Sequence, residues 1–210
     1  MSANPTGKNG PAGTSPARRA AFGFRAHSGW AAAAVAAVSA GAVTVVTRLR
    51  IELIDRDIPA QPFHAAEGLP LKQAEGIIRR STDCARRLAH AALRSAISDL
   101  QTQGYAVVAS GLLRSAARPL PALEEILESH ALIHTAEGEL FRDALSYASE
   151  QCGLPVNNVK EREVFARAST ALGIADEGLK QRLAELGRQL GPPWREDQKL
   201  ATVVAWLALS

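Results

Sequence analysis

Residues 22–54 read FGFRAHSGWAAAAVAAVSAGAVTVVTRLRIELI, and how this stretch is divided decides the fold. Taken whole, the apolar run from Trp30 to Val46, with Arg18-Arg19 upstream, has the outline of a twin-arginine export signal. Arg25 and His27 interrupt the path from the arginine pair to that run, and the pattern continues past the point where a signal would stop. Beyond the turn sequence Ser39-Ala40-Gly41, residues Val43, Val45, Thr47, Leu49, Ile51 and Leu53 alternate with Thr44, Val46, Arg48, Arg50, Glu52 and Ile54. A period of two with polar residues on one side marks a half-exposed strand. The stretch therefore divides into three strands, Phe22–Ala26, Trp30–Val38 and Val43–Ile54.

Downstream the period lengthens. Pro59 to Pro70 reads as a loop, and Leu71, Ala74, Ile78, Ala85, Leu88, Ala92 and Ala96 trace one face of a helix over 71–100. Tyr105–Ala109 reads as a short buried strand that Ser110-Gly111 ends. A loop over 112–121 carries Arg114 and Arg118, Pro121 suits the first turn of a second long helix reaching Gln151, and Gly153 suits its C-terminal cap. Val156–Lys160 is the last strand, followed by helices over 161–172, 177–190 and 196–209. The order β-β-β-α-β-α-β-α predicts an α/β fold with a five-stranded mixed sheet and long helices on its faces. Trp30–Val38 is expected to run antiparallel to its neighbours. Residues 1–20 are rich in Gly, Pro, Ser and Asn and are expected to form a disordered tail, with one domain over 21–210. With aromatics at only 5% of the chain, Ala, Leu and Val must build the core.

The formal charge of +3 comes from the first nineteen residues, where Lys8, Arg18 and Arg19 face no acid; residues 20–210 hold 21 basic and 21 acidic side chains. A body that grips nucleic acid usually carries a basic excess, so this neutrality does not support such a partner. Arg80, Arg87 and Arg94, with Arg79 and Arg86 beside them, could track phosphates, but they equally fit a solvated helix face. A third assignment pairs them with the acids Glu124, Glu125, Glu128, Glu139 and Asp143 of the second long helix. Cys84 and Cys152 make no C-x-x-C pair and read as buried, reduced thiols, which fits a soluble, cytoplasmic protein. Nothing in the sequence specifies a cofactor or a membrane partner, and self-association through the acidic and basic helices is left open.

The element order resembles the ribonuclease H-like superfamily, and within it the Holliday-junction resolvase family RuvC. The local motifs that carry the resemblance are Gly23-Phe24-Arg25-Ala26-His27-Ser28-Gly29-Trp30 at the first strand, Ala136-Glu137-Gly138 in the second long helix, Gly153-Leu154-Pro155-Val156 before the last strand, and Glu196-Asp197-Gln198-Lys199-Leu200-Ala201 opening the final helix. The resemblance implies the fold. It also implies about four carboxylates holding two divalent metals for in-line phosphoryl displacement, and here the sequence departs from the family. The first-strand aspartate matches Arg25, the fourth-strand glutamate matches Ser110 or a neighbour, and Leu200 stands where a second final-helix aspartate belongs. Only Asp197 keeps its carboxylate, so the resemblance carries the fold without the nuclease site.

What polar chemistry remains is concentrated in a few places. Arg25, His27 and Ser28 cluster at the end of the first strand, and a charge there requires a carboxylate; the resemblance implies Glu137 and Asp197 as its partners, since they occupy family positions that could reach it. His27 lies two residues on and shares Arg25's face, whereas Ser28 points the other way. His130, His134 and Glu137 lie at i, i+4 and i+7, a spacing that puts two imidazoles and a carboxylate on one helix face. Such a face can hold zinc or another divalent ion if His27, His64 or Asp197 supplies a further ligand, or it can be a hydrogen-bonded polar face with no metal. All of Arg25, His27, Ser28, His130, His134, Glu137 and Asp197 are expected to line one polar cleft at the end of the sheet. Three functions fit: a binding or scaffolding module that has lost the nuclease carboxylates, an enzyme with a re-invented His/Glu/Asp site, and a self-associating interaction protein.

Overall fold

A computed structural model describes residues 16–115 and 119–210, so most of the expected tail, and Arg118, lie outside the described residues. The elements are β1 (Arg18–His27), β2 (Trp30–Ser39), β3 (Ala42–Glu52), α1 (Pro62–Ala66), α2 (Leu71–Thr102), β4 (Tyr105–Arg114), α3 (Leu123–Leu127), α4 (His130–Gln151), β5 (Val156–Lys160), a 3₁₀ turn at Glu161–Glu163, α5 (Val164–Leu172), α6 (Asp176–Leu190) and α7 (Glu196–Leu207). The five strands form one sheet in the order β3-β2-β1-β4-β5. β2 runs antiparallel to β1 and β3, while β1, β4 and β5 run parallel. This is the mixed sheet that the sequence predicts.

The strand Trp30–Ser39 is nearly all Ala and Val because it is covered on both faces. On one face Ala31, Ala33, Val35 and Ala37 pack with Phe22, Phe24, Leu93, Phe141 and Leu145 under α2 and α4. On the other, Ala36 joins Val43, Val45, Leu113, Leu200, Val203 and Val204 under α5–α7. α7 lies very close to the sheet. A β-carbon at Gly23 would come within 1.9 Å of Ala201 O, and one at Gly111 within 2.1 Å of Val204 O. These two glycines are register partners on β1 and β4, so together they form the seat for the helix.

Several features differ from the sequence reading, each for a local reason. β1 begins at Arg18, so residues 18–20 belong to the sheet; the Arg18 guanidinium stacks 3.9 Å from the Tyr105 ring and Nη2 donates to Gln103 O. Setting aside Lys8 leaves 23 basic residues against 21 acidic, so the domain carries a slight basic excess rather than none. β4 continues through Ser110-Gly111 to Arg114, because Gly111 serves close helix packing and not a turn. The expected single helix from Pro121 breaks at Ser129 into α3 and α4. In β3 the alternation slips: the register with β2 jumps from Val35↔Thr47 to Ala36↔Val45, leaving Val46 as the extra residue of a bulge. Val43 and Val45 therefore face α7, whereas Ile51 and Leu53 face α2. The loop before α2 also contains the short helix α1.

Candidate functional site

The residues expected to share one cleft form two clusters on opposite faces of the sheet. Gly23 faces α7, and so do Arg25 and His27, two and four residues on. Arg25 Nη1 donates to Asp197 Oδ1 at 2.9 Å and Nη2 to Glu161 Oε1 at 2.7 Å. His27 Nε2 lies 2.9 Å from the same Asp197 oxygen, and its ring stacks on Trp30 with centroids 4.3 Å apart. Trp30 in turn carries the Arg50 guanidinium 3.9 Å from its centre. Arg25, His27 and Asp197 meet as expected. Asp197 sits in the first turn of α7, where a carboxylate also complements the helix dipole.

Arg25's second carboxylate is Glu161 rather than Glu137. Glu137 belongs to α4, on the other face, so it cannot reach β1's α7 side. Glu161 is the first residue after β5, at the carboxyl end of the last parallel strand; that position is the signal by which the sequence could have revealed it. Ser28 lies exposed in the two-residue turn between β1 and β2. Ser110 is also displaced from the site: it pairs in register with Phe22 and its hydroxyl donates to Pro155 O, well below the strand ends. Two residues beyond the paired glycines, the β4 counterpart of Arg25 is Leu113, which is buried in the same apolar cluster as Leu200.

Beside this cluster the carboxyl ends of β4 and β5 open into a cavity of about 720 Å³ lined by Arg114, Asn158, Lys160, Glu163 and Arg167, among others. Arg114 bridges Glu139 and Asp143 of α4 at 2.7 Å each, so these acids serve β4 and not the arginines of α2. On α2, Arg79, Arg80 and Arg94 are exposed, Arg86 lies over Tyr147, and Arg87 pairs with Asp55 at 3.0 Å. A solvated face is the better description of that stripe.

The second cluster sits under α2 and α4. Glu137 is buried, and its Oε1 accepts from the Phe63 and His64 N–H groups at 2.8 and 3.1 Å and lies 3.1 Å from His64 Nδ1. These N–H groups open α1, whose own N-cap Gln61 makes no side-chain cap, so Glu137 caps α1 from another helix. Oε2 of Glu137 is buried without a hydrogen-bond partner among the described residues. His130 and His134 lie one turn apart on α4 with their Nε2 atoms 3.0 Å apart. One ring nitrogen from each of His64, His130 and His134 falls within 4.8 Å of the others. Of the further ligands weighed from the sequence, His64 is the one that arrives; His27 and Asp197 are across the sheet.

Cys84 is buried as expected, whereas Cys152 is only half-buried. Burial is the first cause that pushes Cys84 up from the ordinary thiol range, with the hydrogen bond to Asp55 acting in the same direction; burial also raises Cys152. Asp55 is held below the usual carboxylate range, first by the Cys84 hydrogen bond.

No protein-family model matches the chain, and no curated protein matches it in sequence. Among solved structures it is similar to Thermus thermophilus RuvC in complex with Holliday junction substrate, at a TM-score of 0.50, 10% identity, and coverage of 89% of this chain and 90% of that one. It is also similar to a second Thermus thermophilus RuvC structure, at a TM-score of 0.43, 12% identity and the same coverage. The fold is thus RuvC-like, within the ribonuclease H-like class. No described helix is long and apolar enough to cross a membrane.

Proposed function

We propose that this RuvC-like domain acts as a binding or scaffolding module and does not carry out two-metal phosphodiester hydrolysis. The observation that carries this reading is the Arg25 guanidinium, bonded to Asp197 and Glu161 at the carboxyl end of the central strand. Two divalent cations bridging a phosphate require several converging carboxylates. Here a fixed cation occupies the centre, and the neighbouring positions Leu113 and Leu200 are buried apolar side chains. These residues do not fit the metal pair.

What remains at the strand ends is a cavity with mixed charge, lined by Arg114, Lys160 and Arg167 against Glu139, Asp143 and Glu163. RuvC of Thermus thermophilus has been captured with a Holliday junction substrate, which makes branched DNA the first ligand to try. The domain's small basic excess argues for weak, salt-sensitive contact with nucleic acid.

The test is a cleavage assay with four-way junction, duplex DNA and RNA–DNA hybrid in Mg²⁺ or Mn²⁺. The expected result is intact substrate in every case. Cleavage by the purified protein that disappears in Asp197→Asn would overturn the proposal.

A further inference from the structure

We infer that His64, His130 and His134 form a binding site for one borderline transition-metal ion, zinc in the first instance, with Glu137 as the outer carboxylate that fixes His64. The site lies on the face of the sheet opposite Arg25 and is independent of the reading above.

Geometry supplies the first argument. His130 and His134 are one helical turn apart, and their Nε2 atoms approach to 3.0 Å. Two nitrogens bound to one zinc ion at 2.0–2.1 Å in a tetrahedron lie about 3.3 Å apart, so this pair already spans an edge of the polyhedron. His64 comes from α1, with its ring centroid 4.7 Å from that of His134 and 5.6 Å from that of His130. Its nitrogen lies within 4.8 Å of theirs. Closure requires rotation of His130 and His134, both of which are exposed, and exchange of their mutual nitrogen contact for the metal.

Glu137 supplies an independent argument. With Nδ1 of His64 engaged by Oε1, the nitrogen left to ligate is Nε2. A carboxylate behind an imidazole is the arrangement that fixes ring orientation and tautomer in metal sites. This carboxylate is buried, with a side-chain exposure of 4%, and its Oε2 has no hydrogen-bond partner among the described residues. Burying such a group without a cation is costly, and a dication one ring away on His64 provides the missing positive charge. The same carboxylate caps α1, so the short helix that presents His64 is held in place by the group that would tune it.

The donor set selects the ion. Three imidazoles suit Zn²⁺, Co²⁺, Ni²⁺ or Cu²⁺, whereas Mg²⁺ and Ca²⁺ prefer oxygen ligands. The exposure of His130 and His134 leaves the fourth position to water or to a small ligand.

The experiment uses the full chain without a histidine tag. Zn²⁺ is titrated against a chromophoric chelator, and Co²⁺ is followed by its visible absorption. One ion per chain is expected, with the strong visible bands of tetrahedral Co²⁺, bleached by Zn²⁺ and untouched by Mg²⁺. His130→Ala and His134→Ala should remove stoichiometric binding while leaving the circular dichroism unchanged, since both side chains are exposed. Glu137→Gln should weaken binding by roughly 10- to 100-fold, and Arg25→Ala should leave it unaltered. Absence of stoichiometric binding, or binding that survives loss of both His130 and His134, overturns the site; full affinity in Glu137→Gln overturns the role given to that carboxylate.

Discussion

At position 25 a guanidinium is held by two carboxylates, and its surroundings set how much the arrangement contributes. Side-chain exposures of 23% for Arg25, 22% for Asp197 and 42% for Glu161 place the cluster between buried and surface pairs. Solvent screening at Glu161 discounts the figure expected of a fully buried pair, so Arg25→Ala should cost about 1–3 kcal/mol of stability, measured by urea unfolding. A change within error of zero would show that the pairs are surface decoration. A second residue-scale expectation concerns Ala40. With Gly41 it makes the β2–β3 turn, and it takes φ 49°, a conformation that costs a residue with a β-carbon. Ala40→Gly should raise stability by about 0.5–1 kcal/mol; a loss would contradict the strain argument. The pairing Arg25–Asp197 was legible because a charge on a central strand demands a counter-charge and the resemblance placed Asp197 within reach. Glu161 was missed because it read as the first residue of the following helix, although it directly follows β5. The inward turn of Glu137 was invisible because the helix α1 that it caps reads, residue by residue, as loop.

Between elements, the closest fit is α7 on the register pair Gly23–Gly111. Gly23→Ala and Gly111→Ala should each destabilise by about 3 kcal/mol or more, because the obstructing atoms are helix backbone and cannot swing aside. Near-neutral values would mean that α7 is not seated there. The sequence pattern misassigned Gly111 as a stop signal for the same physical reason that makes it important: glycine marks both turns and close approaches, and only the tertiary packing separates them. The bulge at Val46 is another case, since alternation alone cannot tell which face each half of β3 presents. Where α2 meets the loop carrying Asp55, the raised Cys84 thiol gives a pH expectation. Thiolate is the reacting form, so alkylation of native Cys84 should be slow at neutral pH. Its rate should still be climbing at pH values where an ordinary thiol has levelled off. Rapid alkylation at neutral pH, followed by mass spectrometry of the peptide, would contradict the buried setting.

For the whole molecule, the element order and a mixed sheet with helices on its faces followed from the change of hydrophobic period along the chain, which is why the RuvC-like layout was legible at 10% identity to the solved structure; the spatial order of the strands came only with the structure. The division of the polar residues between two faces was not legible, because sequence spacing does not say on which side of a sheet a helix packs. Many of the basic side chains are already paired, among them Arg25, Arg87, Arg114, Arg142, Lys180 and Arg182. Binding to duplex DNA at physiological salt should therefore stay in the non-specific range of about 10⁻⁴–10⁻⁶ M and fall further as salt rises; fluorescence anisotropy across a salt series measures it, and tight, salt-insensitive binding would contradict this expectation. The most direct measurement of the central claim is anomalous diffraction from crystals soaked in Mn²⁺. No manganese is predicted between Asp197 and Glu161, with Arg25 still bonded to both. Two manganese ions about 4 Å apart at Asp197, with the Arg25 side chain displaced, would contradict it.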